Sequence, residues 1–219
     1  MNTSYSYDVQ LPTEMDSDKT YPAVFTLHGR GSNERNMAGL VAPLEGDFIR
    51  IHIRGDLPLG SGYQYYELKS FGNPIRESFD QAVQQLQAII GQLTEQYPID
   101  PGRRYLLGFS QGAILSMTLA LAMGDQLKGI VALNGYVPEF VKTEYSLRDI
   151  RDVSVFLSHG EYDSIFPVQI GHETAAYVGG LTPRLTFHTY PTDHSVSEEN
   201  QRDYLAWLQS DAGLTTPKE

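Results

Sequence analysis

The chain has 219 residues, 27 acidic and 16 basic, which gives a formal net charge of −11 and an isoelectric point of about 4.9. This charge repels phosphate backbones and anionic membrane surfaces, so we expect no nucleic-acid partner and no stable membrane association. The sequence contains no cysteine, which excludes disulfides, thiolate metal ligands and a cysteine nucleophile. The first residues, MNTSYSYDVQLP, lack the basic and apolar regions of a signal peptide, which predicts a cytoplasmic protein.

In chain order, short apolar runs rich in β-forming residues alternate with segments of helical periodicity. Strands are predicted over 21–27, 48–53, 104–109, 129–133, 153–157 and 185–190, and helices over 34–44, 74–97, 111–123, 168–178 and 198–208. Several of the strands are apolar nearly throughout, as strands covered on both faces must be. The clearest helix is the one over 74–97, for which we expect Asn73 as the N-cap and Pro74 at the first position.

This alternation predicts an α/β fold in which a mostly parallel, twisted sheet carries helices on both faces. We find no linker, internal repeat or low-complexity segment that would divide the chain. Its length is that of a domain able to bury its own core. We therefore expect a single domain over 1–219.

The stretch GFSQGA at 108–113 places Ser110 between two glycines, directly after a predicted strand. This pattern predicts a sharp turn from strand to helix, with the glycines leaving space around an exposed hydroxyl. In a parallel sheet the carboxyl ends of the strands share one edge, where side chains far apart in sequence converge. If Ser110 is a nucleophile, a general base and an orienting acid should therefore also follow strand ends.

Two further residues meet this condition. Asp163 follows the strand 153–157 and His194 follows the strand 185–190. The chain order serine, acid, histidine is the one expected of α/β-hydrolases, so the three residues are predicted to form a catalytic triad. Asp193 is the alternative acid. Because adjacent residues rarely turn their side chains towards each other, we favour Asp163 and expect Asp193 to cap the following helix.

The chemistry requires these residue types. A serine hydroxyl becomes a useful nucleophile when a base such as His194 takes its proton, and Asp163 would hold that imidazole in the correct tautomer. The oxyanion that forms needs hydrogen-bond donors. We expect them to be the backbone N–H of Gln111, at a helix N-terminus, and that of Arg30, in the LHGRGSN loop after the first predicted strand.

Four motifs together resemble the phospholipase/carboxylesterase family of α/β-hydrolases: LHGRG at 27–31, GFSQGA at 108–113, HGEYDSIFP at 159–167 and YPTDHSVSEE at 190–199. The resemblance covers nearly the whole chain. It implies an α/β-hydrolase fold and esterase or thioesterase activity, with Ser110, Asp163 and His194 as the triad. The chain departs from many members at Arg30, where they carry a small or apolar residue, and at 61–68, where they carry a tryptophan-containing stretch.

These features predict a serine carboxylesterase that forms an acyl-enzyme intermediate with a small-molecule ester. The alternatives are an acyl-protein thioesterase, a lysophospholipase, and a catalytically idle hydrolase-fold module that only binds a ligand. Many hydrolases of this fold insert a lid after the strand that follows the nucleophile's helix. Here the segment 136–152 is too short for a separate lid domain, so we expect an open cleft that prefers short acyl chains. We expect a monomer or a homodimer.

Aromatic residues follow the second predicted strand and are expected to form a wall of the substrate pocket, with core packing as the alternative: Tyr63, Tyr65, Tyr66 and Phe71. His28 is expected to support the LHGRGSN loop, which carries Arg30, by structural hydrogen bonds. The other histidines, apart from His194, show no metal-ligand spacing with each other or with carboxylates. We therefore predict neither a metal nor another cofactor.

Overall fold

The computed structural model describes residues 5–70 and 72–214. The strands are β1 (Ser6–Gln10), β2 (Tyr21–Leu27), β3 (Ile49–Arg54), β4 (Leu57–Leu59), β5 (Gly62–Gln64), β6 (Leu68–Ser70), β7 (Asn73–Pro74), β8 (Ile99–Phe109), β9 (Gly129–Leu133), β10 (Ser154–Gly160) and β11 (Leu185–Tyr190). The helices are α1 (Arg35–Val41), α2 (Arg76–Gln96), α3 (Gln111–Met123), α4 (Glu139–Glu144), α5 (Val168–Gly179) and α6 (Glu198–Asp211). Short 3₁₀ helices follow α1 and α3.

The main sheet has seven strands in the order β1-β3-β2-β8-β9-β10-β11. Strand β1 pairs with β3 in the antiparallel direction, and every other neighbouring pair is parallel. The predicted α/β-hydrolase architecture, a mostly parallel sheet covered by helices, is therefore confirmed. The antiparallel edge strand β1 was not predicted, because its alternating sequence SYDVQ is short and mostly polar.

Side chains that alternate along the central strands supply two cores, one on each face of the sheet. In β8, Tyr105 and Leu107 pack in the core that also contains Met37 of α1 and Tyr204 of α6. Leu106 points to the opposite face, which is covered by residues of α2, α3 and α5. Helix α3 is apolar on all sides and almost wholly buried there. Because both faces of the sheet are covered, its carboxyl edge remains as the place for a site.

The bounds of β2, β9, β11 and α3 are those predicted, whereas the start of the long helix α2 differs. We expected Asn73 as its N-cap and Pro74 at its first position, but these two residues form β7, which pairs with β6. The N-cap is Ile75, in an extended conformation, and its amide donates to the carbonyl of Glu67 at 2.9 Å. This hydrogen bond keeps the chain extended for one residue beyond the proline, so the helix begins at Arg76.

The segment 136–152, predicted to be too short for a lid, contains the short helix α4 between loops. Val141 of α4 is fully buried in the core on the α2 and α3 face, so this helix packs on the body of the protein. No separate lid domain occurs in the described residues. Among the helices of the described ranges, none is both long and apolar enough to cross a membrane.

Candidate active site

Ser110 lies at the sharp turn between β8 and α3. Its φ of 53° and ψ of −112° are unusual for a residue with a side chain and cost about 1–3 kcal/mol. Hydrogen bonds compensate for this strain: the Ser110 amide donates to the carbonyl of Leu133 at 2.9 Å, and the Ser110 carbonyl accepts from Ala113 and Ile114 at 2.9 and 3.0 Å. The turn is thus fixed to β9 on one side and to α3 on the other.

The two glycines around Ser110 serve packing beneath the turn. A Cβ on Gly108 would lie 2.1 Å from the carbonyl oxygen of Gly112, and one on Gly112 would lie 2.0 Å from that of Leu27. The absence of side chains lets α3 approach β8 and β2. We expected these glycines to clear space around the hydroxyl. Gly29 also lies close to the serine: a Cβ there would lie 3.0 Å from the ring of Phe109 and 3.5 Å from Cβ of Ser110.

His194 joins Ser110 to Asp163 through two hydrogen bonds. Nε2 of His194 lies 2.8 Å from Oγ of Ser110, and Nδ1 lies 2.7 Å from Oδ2 of Asp163. If Nε2 accepts from the serine hydroxyl, the ring proton is on Nδ1 and is donated to the carboxylate. The rings of Phe109 and Phe166 contact the imidazole, with centroid distances of 5.1 and 5.4 Å. The ring is therefore held by packing as well as by hydrogen bonds.

The carboxyl group of Asp163 is fully buried but well supplied with donors. Oδ1 accepts from the amides of Ile165 and Phe166, each at 2.8 Å, and Oδ2 accepts from Nδ2 of Asn134 at 3.0 Å as well as from His194. Burial raises the pKa of this carboxyl, but hydrogen bonds from His194, the Phe166 amide and Asn134 outweigh burial and hold the pKa below its usual value. The group is thus an anion at neutral pH.

Asn134, which the sequence analysis missed, orients that carboxylate. It is fully buried directly after β9, with a φ of 54°, and its amide donates to the carbonyl of Ser158 at 2.9 Å. Its side-chain Oδ1 has no hydrogen-bond partner within the described residues. The rule that selected Asp163, a polar residue in the connection that follows an apolar strand, would also have selected Asn134.

The alternative acid, Asp193, lies apart from the histidine nitrogens. Its side chain is exposed, and its carbonyl accepts from the amide of Ser195 at 2.8 Å. Asp193 also does not cap the following helix, as we had expected, because α6 begins too far along the chain. The N-cap of α6 is Ser197, whose Oγ accepts from the amide of Asn200 at 3.1 Å.

The two amides expected to form an oxyanion hole are available beside Ser110. Gln111 and Arg30 both line the cleft that contains Ser110, and neither backbone N–H donates to an acceptor within residues 5–70 and 72–214. We call residues 28–33 the oxyanion loop. The Gly31 amide of this loop donates to the carbonyl of Tyr63 at 2.7 Å, and the Tyr63 amide donates back to that of Ser32 at 2.8 Å. The loop is thereby fixed to β5.

The side chain of Gln111 holds the segment after β5 against α3, a role the sequence analysis did not foresee. The side chain is buried; its Oε1 accepts from the Tyr65 amide at 2.8 Å, and its Nε2 donates to the Tyr66 carbonyl at 2.9 Å. One residue thus places an available amide next to Ser110 and anchors the neighbouring wall. Nothing in the sequence marks a glutamine for backbone partners so distant in the chain.

His28 makes the supporting hydrogen bonds expected of it. Nδ1 donates to the carbonyl of Gly29 at 2.8 Å, and Nε2 accepts from the amide of Gly55 at 3.0 Å. The backbone amide of His28 donates to the hydroxyl of Tyr65 at 3.1 Å. Burial lowers the pKa of this histidine, which favours the neutral form that the hydrogen bonds require.

A cleft of about 270 Å³ opens beside Ser110 and His194. Its wall is mainly apolar and is formed by Tyr66, Leu68, Ile114, Tyr136, Ile165 and Phe166. The hydroxyl of Tyr136 donates to the carbonyl of Gly72 at 3.1 Å, which joins the segment 136–152 to the opposite wall. No group of three metal-ligating side chains occurs in the described residues.

Of the three described aromatic residues expected to line this cleft, one lies on its wall and two do not. Tyr66 lies on the wall, as expected. Tyr65 is buried behind it, with its hydroxyl donating to the carbonyl of Ile53 at 2.7 Å, and the ring of Tyr63 packs 4.3 Å from the guanidinium of Arg54. The expectation is wrong for these two residues, because their side chains take structural partners in the body of the protein. Phe71 lies outside the described residues.

The sheet, the strained serine turn and the strand-end residues are those of the α/β-hydrolase class. The phospholipase/carboxylesterase family matches residues 11–210, so the chain belongs to this family of hydrolases. Acyl-protein thioesterase 1 of Debaryomyces hansenii is 28% identical over 155 residues, which cover 66% of this chain and 65% of that protein. The chain thus matches slightly less than two thirds of that relative's length.

Two further similarities cover more of both chains. The putative hydrolase MhqD of Bacillus subtilis is 22% identical over 183 residues, which cover 84% of this chain and 90% of that protein. The crystal structure of the Bacillus cereus carboxylesterase superposes with a TM-score of 0.84 at 20% identity, covering 96% of each chain. At that identity the structural likeness establishes the fold.

Proposed function

We propose that the protein is a serine carboxylesterase that hydrolyses short-chain carboxylic esters through an acyl-enzyme intermediate. The observation that carries this proposal is the continuous hydrogen-bonded chain from Oγ of Ser110 through His194 to the buried carboxylate of Asp163. A serine, a base and an orienting acid within hydrogen-bond reach are the arrangement that activates a hydroxyl for acyl transfer.

In the first half-reaction, Oγ of Ser110 attacks the ester carbonyl carbon while His194 takes the hydroxyl proton. The carbonyl oxygen becomes an oxyanion that accepts from the amides of Arg30 and Gln111. The carbon–oxygen bond to the alcohol then breaks, and His194 returns the proton to the leaving alkoxide. The products of this step are a free alcohol and an acyl group bound to Ser110. Asp163 stabilises the imidazolium and remains ionised throughout.

In the second half-reaction, a water molecule replaces the alcohol. His194 takes one proton from the water as its oxygen attacks the acyl carbon, and the oxyanion again accepts from the two amides. The bond between the acyl carbon and Oγ of Ser110 breaks, and His194 returns the proton to that oxygen. The carboxylic acid leaves and the serine hydroxyl is restored.

The cleft supports a small acyl group. Its volume of about 270 Å³ is slightly below the roughly 300–1,000 Å³ of most small-molecule sites, and its wall is mainly apolar.

Thioester hydrolysis is the second candidate, because the Debaryomyces hansenii relative is named as an acyl-protein thioesterase. The same acyl-enzyme would form with a thiol as the leaving group. The far methylenes of a long fatty acyl chain would protrude from the cleft into water and contribute little to binding.

Covalent labelling tests the proposal. A fluorophosphonate probe should modify the folded wild-type protein at Ser110 and fail to modify Ser110→Ala. The same substitution should lower kcat on an aryl ester by about 10⁴- to 10⁶-fold, since only binding and oxyanion stabilisation would remain. A circular dichroism spectrum that matches the wild type serves as the folding control. An alanine variant that keeps a tenth of the activity would show that Ser110 is not the nucleophile, and an unlabelled wild type would indicate an idle module.

A further inference from the structure

Arg30 lines the cleft and carries a permanently charged, exposed side chain. The backbone of this residue belongs to the oxyanion loop, and the residue lines the same cleft as Ser110 and His194. Of the described residues on the cleft wall, Arg30 alone carries a charge that does not depend on pH near neutrality. A cationic residue on this wall contrasts with the net charge of the chain, which is −11.

The guanidinium of Arg30 is positioned without being neutralised. Its Nε donates to Oε1 of Gln64 at 3.1 Å, and Gln64 is only 6% exposed. None of the ion pairs in the described part of the chain involves Arg30. Five other arginines do make such pairs: Arg54, Arg76, Arg103, Arg151 and Arg184. The two Nη groups of Arg30 therefore remain available for an external anion.

Gln64 is itself fixed, so the position of the guanidinium is built into the fold. It belongs to β5, which pairs with β4 and, through Tyr63, with the oxyanion loop. The Gln64 carbonyl also packs against Gly55 so closely that a Cβ there would lie 2.4 Å from its oxygen. The oxyanion loop and the residue that orients Arg30 thus form one unit. A cation held in this way has a lower entropic cost of binding than a freely moving side chain.

We propose that Arg30 is a specificity-determining residue that selects esters carrying a carboxylate, such as half-esters of dicarboxylic acids. A carboxylate accepts two parallel N–H bonds from a guanidinium, and its single negative charge matches the one cation of the cleft. The apolar wall would contact the hydrocarbon part that separates the carboxylate from the ester. This inference rests on the proposed esterase function and adds a substrate class to it.

The negative net charge of the protein does not prevent an anionic ester from binding beside Arg30. At physiological ionic strength, charges beyond a Debye length of about 8 Å are largely screened, so the acidic surface acts weakly on a bound substrate. A guanidinium beside the substrate is much less screened. We therefore expect discrimination between anionic and neutral esters to depend on Arg30 itself and not on total charge.

The test compares matched esters in both possible orientations. Monoethyl glutarate carries its carboxylate on the acyl group, and its terminal amide is the neutral match. Para-acetoxybenzoate carries it on the leaving group, and para-acetoxybenzamide is the neutral match. The readout is the ratio of kcat/KM for the anionic ester to kcat/KM for its match. Both members of a pair use the same backbone donors, so disturbance of the oxyanion loop cancels in the ratio.

We expect Arg30→Gln to lower this ratio by about tenfold in at least one pair, the loss typical of one charge-assisted hydrogen bond at a partly exposed site. Arg30→Lys should retain part of the preference. Arg35→Gln removes the same charge from an exposed residue nearby that does not line the cleft, and it should change the ratio less than twofold.

Three results would overturn the inference while leaving the esterase function standing. One is a ratio unchanged in Arg30→Gln for both pairs, and another is an equal loss in Arg35→Gln. The third needs no variant and compares glutarate with its monoamide as inhibitors of the wild type. We expect glutarate to inhibit about tenfold more strongly at low salt, and equal inhibition by the two compounds would overturn the inference. If the wild type hydrolyses none of the four esters and Ser110 is not labelled, the proposed function itself fails.

Discussion

The loops that carry Ser110, Asp163 and His194 differ from the segment 55–75 in what holds them in place. Each loop leaves one of the parallel strands β8, β10 and β11, and the register of the sheet determines where it begins. The described residues of the segment 55–75 add no strand to the main sheet. It forms the hairpins β4–β5 and β6–β7, which individual hydrogen bonds attach to the oxyanion loop and to α3. The sheet positions the three residues proposed to react, and the segment contributes Tyr66, Leu68 and Gly72 to the cleft wall.

The two regions meet at Arg30. Its backbone amide is one of the two proposed oxyanion donors, while its side chain is oriented by Gln64 from the segment 55–75. A change in that segment could therefore alter which ester binds without displacing the three residues proposed to react. Reaction and substrate choice are thus assigned to parts of the molecule that are stabilised in different ways.

If the sheet positions the reacting groups, the strand-end carboxylate should matter far more than its exposed neighbour in sequence. We expect Asp163→Asn to lower kcat by about 10³- to 10⁴-fold, because an asparagine cannot hold the histidine proton on Nδ1 in the same way. Asp193→Asn is the matched control, since it makes the same chemical change next to His194, and it should lower kcat less than about threefold. Steady-state kinetics on one aryl ester measures both. A larger loss in Asp193→Asn would show that the acid has been misassigned.

The difference between the loops anchored by the sheet and the segment 55–75 also explains what could be predicted from the sequence. Strands β2, β9 and β11 and helix α3 have the predicted bounds, because each is an uninterrupted run whose burial or periodicity dominates other local preferences. Ser110, Asp163 and His194 were brought together by the rule that strand ends share an edge. Each of these inferences depends on the sheet, which the alternation of strands and helices already defines.

The segment 55–75 could not be predicted in this way. Its strands are two or three residues long, too short for any period to be visible, and Pro74 suits an edge strand as well as a helix start. The side chain of Gln111 makes hydrogen bonds to the Tyr65 amide and the Tyr66 carbonyl. These two bonds fix the backbone that carries both tyrosine rings. Such a contact between a side chain and a distant backbone leaves no local pattern.

Acid should destabilise the sheet through a buried histidine that is not one of the residues proposed to react. His52 is fully buried in β3, with Nδ1 bonded to Oγ1 of Thr26 at 2.8 Å and no partner for Nε2 among the described residues. Burial lowers the pKa of His52 to about 4, with smaller effects from nearby charges. In the unfolded chain a histidine has a pKa of roughly 6.5. Between these values the unfolded state binds a proton that the folded state excludes.

The free energy of unfolding should therefore be highest above roughly pH 6.5 and should fall as the pH drops towards 4, by about 3 kcal/mol from His52 alone. Urea unfolding of the wild type and of His52→Gln across this range measures the effect. The variant should show a flatter dependence, and the difference between the two curves isolates His52 from other acid-sensitive groups such as His28. Parallel curves would mean that His52 is protonated in the folded protein.

The smallest effect concerns the acyl chain and tests the wall directly. A buried methylene contributes about 0.8 kcal/mol, or roughly a fourfold gain in kcat/KM, whereas a methylene that protrudes into water contributes little. In a cleft of about 270 Å³ without a separate lid domain in the described residues, we expect kcat/KM on soluble aryl esters to peak at acyl chains of about two to six carbons. A chain-length series below the critical micelle concentration measures the peak.

Two isoleucines of equal exposure provide the variant and its control. Ile165 lines the cleft and Ile75 does not, and each is 39% exposed, so truncation to alanine should disturb the fold to a similar degree. Ile165→Ala should reduce the gain per methylene near the peak by about two- to fourfold, because part of the apolar wall is lost. Ile75→Ala should leave the profile unchanged. A wild-type peak at twelve or more carbons, or a sharp rise in rate when micelles form, would contradict the small cleft and favour a lipase or a long-chain thioesterase.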